Sequence, residues 1–160
     1  MVFIPRDPVI QNQFLVHDTD EGNGTETAGC VVYLSGDQLV ACVSGSTSGN
    51  VNKPYGFLMQ NVKSESSAHP TGFRLPGDLG SSDAFTGDPV AVAHLGLYDT
   101  TFYNTATTYA FGDNLDIAAN GAVTPTGVNT VNTTVVAIAQ NTLTAAQVAA
   151  GEKLRIKLLI

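Results

Sequence analysis

At 160 residues the chain is most simply one domain, long enough to bury roughly 70% of the surface its unfolded form exposes. Seven basic against fourteen acidic residues leave a net charge of −7, with no basic stripe able to track phosphates, which speaks against direct nucleic-acid binding. No stretch approaches the roughly 20 apolar residues of a membrane-spanning helix, and the N-terminus lacks the basic start and unbroken apolar run of a signal peptide.

Charged residues make up only 13% of the chain, and its polarity comes instead from Thr, Ser, Asn and Gly. Such a composition suits strands and turns. Residues 1–13 read as an extended N-terminal arm. Pro5 and Pro8 bar a helix, yet Val2, Phe3, Ile4, Val9 and Ile10 are too apolar to stand free in water. Fully stretched, the arm spans roughly 40 Å. It is read as laid on a neighbour, with a first edge strand of the domain as the alternative. Residues 14–160 then form a single β-domain.

The acidic loop that follows contains Asp18-Thr19-Asp20 and Glu26. It departs from a calcium loop at Gly22 and Asn23, so it reads as a solvated turn. Strands are predicted at about 29–35, 38–44, 55–62, 89–97, 107–111, 114–119, 134–140 and 153–160. The stretch Leu39-Val40-Ala41-Cys42-Val43 is apolar on both faces and needs cover on both sides, from its own loops or from another subunit. Cys30 and Cys42 lie in these strands and read as buried free thiols, with a disulfide as the alternative. Residues 60–86 are too long and too rich in Ser, Gly and Pro for a plain connector, and read as a protruding or partner-contacting excursion. The last strand is the clearest: Leu154, Ile156, Leu158 and Ile160 alternate with Lys153, Arg155 and Lys157. Likewise Leu115, Ile117 and Ala119 alternate with Asp116 and Asn120. Thr144-Ala145-Ala146-Gln147 has the form of a capping box, and Gly151 suits the end of the short helix it opens.

No charged residue occurs from Ile117 to Gly151. That neutral tract is either covered by another subunit or a hydroxyl-rich exterior. Val128, Val131 and Thr134 within it, with Val40, Cys42 and Val43, are the candidate subunit contacts. Val2, Phe3, Ile4, Val9 and Ile10 are the candidate contacts to a larger partner.

Catalytic chemistry has weak support. The three histidines, His17, His69 and His94, sit in unrelated contexts, and His94 reads as packed or at an interface. Gly45-Ser46-Thr47-Ser48-Gly49 places Thr47 where a nucleophile elbow needs Ser, and no helix follows. Tryptophan, the usual sugar platform, is absent, leaving Phe102, Tyr103, Tyr109 and Phe111 as the aromatics for a glycan groove. No catalytic, cofactor-binding or metal-binding residue is assigned, and no cofactor is expected.

One pattern recurs: Gly36-Asp37-Gln38-Leu39 to Gly45, Gly87-Asp88-Pro89-Val90 to Gly96, and Gly112-Asp113-Asn114-Leu115 to Gly121, with a partial copy at Gly151-Glu152-Lys153-Leu154. Gly allows a tight turn, Asp bonds back to nearby amides, and the apolar residues after them suit a short strand. The pattern predicts an all-β fold, a small barrel or sandwich of repeated turn–strand units with one short helix.

The first unit continues as Pro54-Tyr55-Gly56-Phe57-Leu58. It resembles the turn–strand–turn–Pro-x-Gly unit of capsid decoration (cement) proteins of tailed bacteriophages. A second unit, Gly112 to Val123 and then Val135 to Ala139, closes with Gly151-Glu152-Lys153-Leu154-Arg155-Ile156. The resemblance covers about residues 29–160. It implies a non-enzymatic virion protein, made in the host cytoplasm, that sits on the outer capsid surface as a homotrimer and bridges major capsid proteins. The alternative is another virion surface module: a head fibre base, a tail-associated protein or a glycan-binding β-domain.

Overall fold

The computed structural model describes residues 3–14, 27–36, 38–42, 53–63, 83–85, 90–118, 121–128 and 134–160. Eleven strands and one helix run through them in the order β1 (Phe3–Phe14), β2 (Val31–Ser35), β3 (Gln38–Ala41), β4 (Gly56–Leu58), β5 (Asn61–Lys63), β6 (Asp83–Phe85), β7 (Val90–Thr100), β8 (Asn114–Ile117), β9 (Val123–Pro125), β10 (Ala137–Ala139), α1 (Ala145–Ala149) and β11 (Leu154–Leu159). The fold is all-β, a curled antiparallel sheet resembling half a barrel.

The longer of two sheets has nine strands, ordered β3-β2-β4-β7-β11-β10-β8-β9, with β1 also on β7. β7 organises the whole. Thr100 pairs with both Phe3 of β1 and Leu154 of β11, and Ala93 pairs with both Gln11 of β1 and Phe57 of β4. A residue has only two edges, so β1 takes one edge of β7 along its length while β4 and β11 share the other end to end. Eleven residues of β7 therefore join two halves of the molecule.

The Gly-Asp turns explain the local strand starts. Ser35 pairs with Gln38, which leaves a two-residue hairpin loop, and Gly36 takes φ 66° at its first position. Such a loop matches the right-handed twist of the strands only with positive φ. Gly112 and Gly151 also have positive φ, 90° and 70°, and an added Cβ at any of the three would meet nothing within 4 Å. Backbone freedom, not space, selects glycine there. The Asp113 carboxylate accepts from the Ala110 amide at 2.7 Å, the back-bond expected of the motif. Gly96 departs from the pattern. It lies within β7 at φ 123°, opposite Pro8 where β1 shifts register, and so marks an irregularity in a strand, not a turn.

The sheet buries two apolar clusters. Val31, Tyr33, Val40, Cys42, Phe57, Ala93 and Tyr98 face one, joined by Leu115, Ile117, Leu154, Ile156 and Leu158. Cys30, Val32, Leu39, Leu58, Val90 and Val92 face the other, covered by Val62 and Ala84 of the parallel pair β5–β6. The stretch around Val40 is thus covered on both sides by its own chain. That parallel pair also ties together the two ends of the 60–86 excursion; residues 64–82 between them lie outside the described residues. The sheet curls far enough for Gly121, before β9, to press on β2. A Cβ there would meet the Cys30 sulfur and lie 2.7 Å from the Val31 carbonyl oxygen.

The helix forms as expected. Thr144 and Gln147 make the reciprocal capping box. At the other end Glu152 N–H donates to the Gln147 carbonyl and Gly151 N–H to the Val148 carbonyl, each at 3.0 Å, which closes the helix in a Schellman turn. One strand expectation is overturned and two strands are added. Residues 107–111 form only an isolated bridge at Tyr109 to Leu143, whereas β6 and β9 were not expected. Three-residue strands carry too little periodicity to stand out.

Candidate functional site

The N-terminal segment is extended, but its partner is its own chain. β1 pairs antiparallel with β7 from Phe3 opposite Thr100 to Phe14 opposite Val90. Phe3 is 7% exposed and stacks on Tyr98 at 4.6 Å and on Phe57 at 5.8 Å between ring centroids. The alternative of a first edge strand is therefore the one realised, and Phe3 is a core residue, not a free contact for a partner. The physical reason is direct: the open edge of β7 satisfies the amides of β1 while the core takes the Phe3 ring. As an edge strand β1 carries Pro5, Pro8, Arg6 and Asp7 and three register irregularities, the features that block further strand addition. Ile4 and Ile10 lie in β1 opposite Asp99 and Leu95, and Val9 falls at a register shift; Val2 lies outside the described residues.

Val40 and Cys42 are likewise corrected as subunit contacts, because both are buried within the chain. Burial pushes the Cys42 thiol up to about 12, so it is protonated and unreactive. Cys30 and Cys42 are both buried thiols, neither of them in a disulfide, on opposite faces of the sheet. Val128 is 52% exposed on the turn after β9, and Thr134 is half-buried at the approach to β10. Val43 and Val131 lie outside the described residues, as do His17, His69, residues 18–26 and the Gly45–Gly49 stretch. Within the neutral tract Ala145, Ala146 and Ala149 of α1 stand exposed with Thr142 and Thr144, an uncharged surface left open by this chain.

His94 packs edge-on against Tyr55, with ring centroids 4.8 Å apart and planes at 87°. Burial lowers its pKa, partly offset by a hydrogen bond to the Tyr55 backbone, and its Nε2 has no hydrogen-bond partner, so the ring is a neutral packing element. The aromatics considered for a glycan groove do not assemble one. Tyr103 and Tyr109 are buried against each other at 5.4 Å, their hydroxyls donating to the carbonyls of Glu152 and Asn104. Phe102 packs on the second cluster, and Phe111 alone of the four is well exposed, at 69%.

Compared with known protein families and with curated proteins, the chain matches none.

Two features went unread in the sequence. Asp116, expected on an open face of β8, is 1% exposed, and neither carboxylate oxygen has a side-chain partner. Opposite it across β8–β9 is buried Thr124, whose Oγ1 accepts from Asn104 Nδ2 at 3.2 Å. Desolvation raises the Asp116 pKa to about 6. No pattern in the sequence announces that the outward face of β8 is covered. The second feature is the outward face of β7, β11 and β10. Leu154, Ile156 and Leu158 point into the core, so Lys153, Arg155, Lys157 and Leu159 point out, as their alternation predicts. Leu159 lies beside Leu95, Lys157 beside Leu97 and Ile138, and Arg155 beside Asp99. Leu95 and Leu159 are 39% and 42% exposed, and the Arg155 Nε–Asp99 Oδ1 ion pair measures 3.0 Å. The sequence showed the basic row; only the register brings the leucines to it.

Among the described residues no group of three His, Cys, Asp or Glu is placed to hold a metal ion, and no helix is long and apolar enough to cross a membrane.

Proposed function

We propose that this chain is a structural virion protein that binds the outer surface of a phage capsid, bridges neighbouring major capsid proteins and so helps the shell resist internal pressure. The observation that carries the reading is the repeated Gly-Asp turn–strand unit with its Pro54-x-Gly56 continuation, which resembles the cement proteins of tailed phages. Gly36 and Gly112 of that unit take positive φ at the starts of strands of one curled sheet, so the repeat behaves as a building unit. The uncharged Ala and Thr surface of α1 and the exposed Val128 are the parts available for a neighbouring copy in a homotrimer. A cement acts by spreading modest contacts over several subunits, where multivalency multiplies weak affinities.

The test is co-sedimentation of the purified chain with capsids that lack it, alongside its mass in solution. A trimer that pellets with capsids supports the reading. A monomer that stays in the supernatant overturns it. The glycan-binding alternative loses its aromatic platform to the core, since Tyr103 and Tyr109 are buried.

A further inference from the structure

We infer that the outward face of β7, β11 and β10 is the surface that meets the shell, and that it docks on an acidic, partly apolar protein surface. This inference rests on the capsid-binding reading above. Three of the seven basic residues in the chain, Lys153, Arg155 and Lys157, occupy this one face. All three are exposed, in a molecule whose net charge is −7. Asp99 neutralises Arg155 and holds it in place, which leaves the positive charge of the row on the two lysines at its sides. Leu95 and Leu159 form an exposed cross-strand pair at the end of the same row.

Exposed leucines at one end of a row of polar, charged side chains fit an apolar interface centre beside a polar rim. Charge selects the occupant. A second copy packed face to face would set the lysine row against itself, and like charges brought together oppose that contact. An acidic surface meets the opposite situation: the net charge of this chain repels it, while the lysine row attracts it, so approach is steered onto this face. The face is also rigid, because β11 is hydrogen-bonded on both edges, to β7 and to β10. A rigid surface loses little freedom on docking.

The experiment is capsid co-sedimentation with the full chain, comparing wild type with the double variant Lys153→Glu/Lys157→Glu and with Lys53→Glu, an exposed cation on the segment before β4, as control. Both substituted lysines of the double variant point into solvent, so it keeps its thermal melt, which is measured in parallel. Capsid affinity should fall about tenfold or more in the double variant, from two lost attractions and two new repulsions, and stay near wild type in Lys53→Glu. Wild-type binding should also weaken as salt rises, with a smaller salt dependence in the double variant. If wild type binds capsids and the double variant binds as tightly with the same salt dependence, this face is not the docking surface, while the capsid-binding function stands. If wild type does not pellet with capsids, the functional reading itself falls and this inference with it. A change in solution mass of the double variant would assign the face to a second copy and overturn the shell-facing assignment.

Discussion

Replacing Asp116 with asparagine should stabilise the protein at neutral pH and do little in acid. The Asp116 carboxyl is 1% exposed, with no side-chain partner for either oxygen, and burial, only partly offset by its own backbone amide, raises its pKa from 3.8 to about 6. A carboxyl whose folded pKa lies above its unfolded one favours folding only while protonated. Its contribution is fully present below about pH 4 and is lost as pH rises through about 6. A rise of about two pH units corresponds to about 3 kcal/mol of destabilisation once the pH is above both values. The amide side chain of the Asp116→Asn variant has nearly the same shape and never ionises, so the variant should recover up to that amount at pH 7.5. For a chain of 160 residues this corresponds to a melting temperature roughly 6–12 °C higher. Urea unfolding followed by circular dichroism at pH 4.5, 6.0 and 7.5 reads the effect directly. The gap between variant and wild type should open with rising pH, at an unchanged urea slope. A variant no more stable than wild type at pH 7.5, or a gap equal at all three pH values, would refute the claim that burying this carboxyl costs stability at neutral pH.

Phe3→Ala should cost about 3–4 kcal/mol, since it removes a buried ring stacked on two others. An unchanged melt would show that β1 is not part of the core. For the same reason, a deletion of residues 1–13 must be judged on stability before its capsid binding is read. Gly121→Ala combines a positive φ of 75° with a clash against Cys30 and Val31, whereas Gly112→Ala meets only the positive φ. Chemical unfolding should show about 1 kcal/mol lost at Gly112 and clearly more at Gly121; equal losses would mean the β8–β9 end does not press on β2. Both thiols should resist a disulfide reagent at pH 8 until denaturant is added, because Cys42 is buried with its pKa pushed up to about 12 and Cys30 is equally enclosed. Fast reaction of the native protein would contradict that enclosure.

Local rules read the strands and the helix end correctly wherever the pattern was strong. β11 alternates in burial along its whole length, as its Leu/Ile and Lys/Arg alternation requires. The capping box at Thr144 and the glycine at 151 delimit α1 as written. Where the pattern was weak, the reading failed. Phe3 and its neighbours carry the same apolar signal whether they lie on another molecule or on β7, so the sequence left both open and the less favoured one was realised. Val40 and Cys42 show that an apolar stretch on two faces needs cover, but not that β5–β6 and the chain's own core supply it.

What the amino-acid sequence determined by itself is the class of fold, the turn positions and the outward direction of Lys153, Arg155 and Lys157. These follow from glycine's access to positive φ and from the two-residue period of a strand, both properties of near neighbours. What only the tertiary structure decided is which surfaces remain available. β7 pairs with β1, β4 and β11, strands drawn from both ends of the chain and from its middle, and that register sets Leu95 beside Leu159 next to the lysine row. The folded sheet also leaves Asp116 buried with no side-chain partner. Contacts between residues so far apart along the chain depend on how the whole sheet closes, and no local period records that.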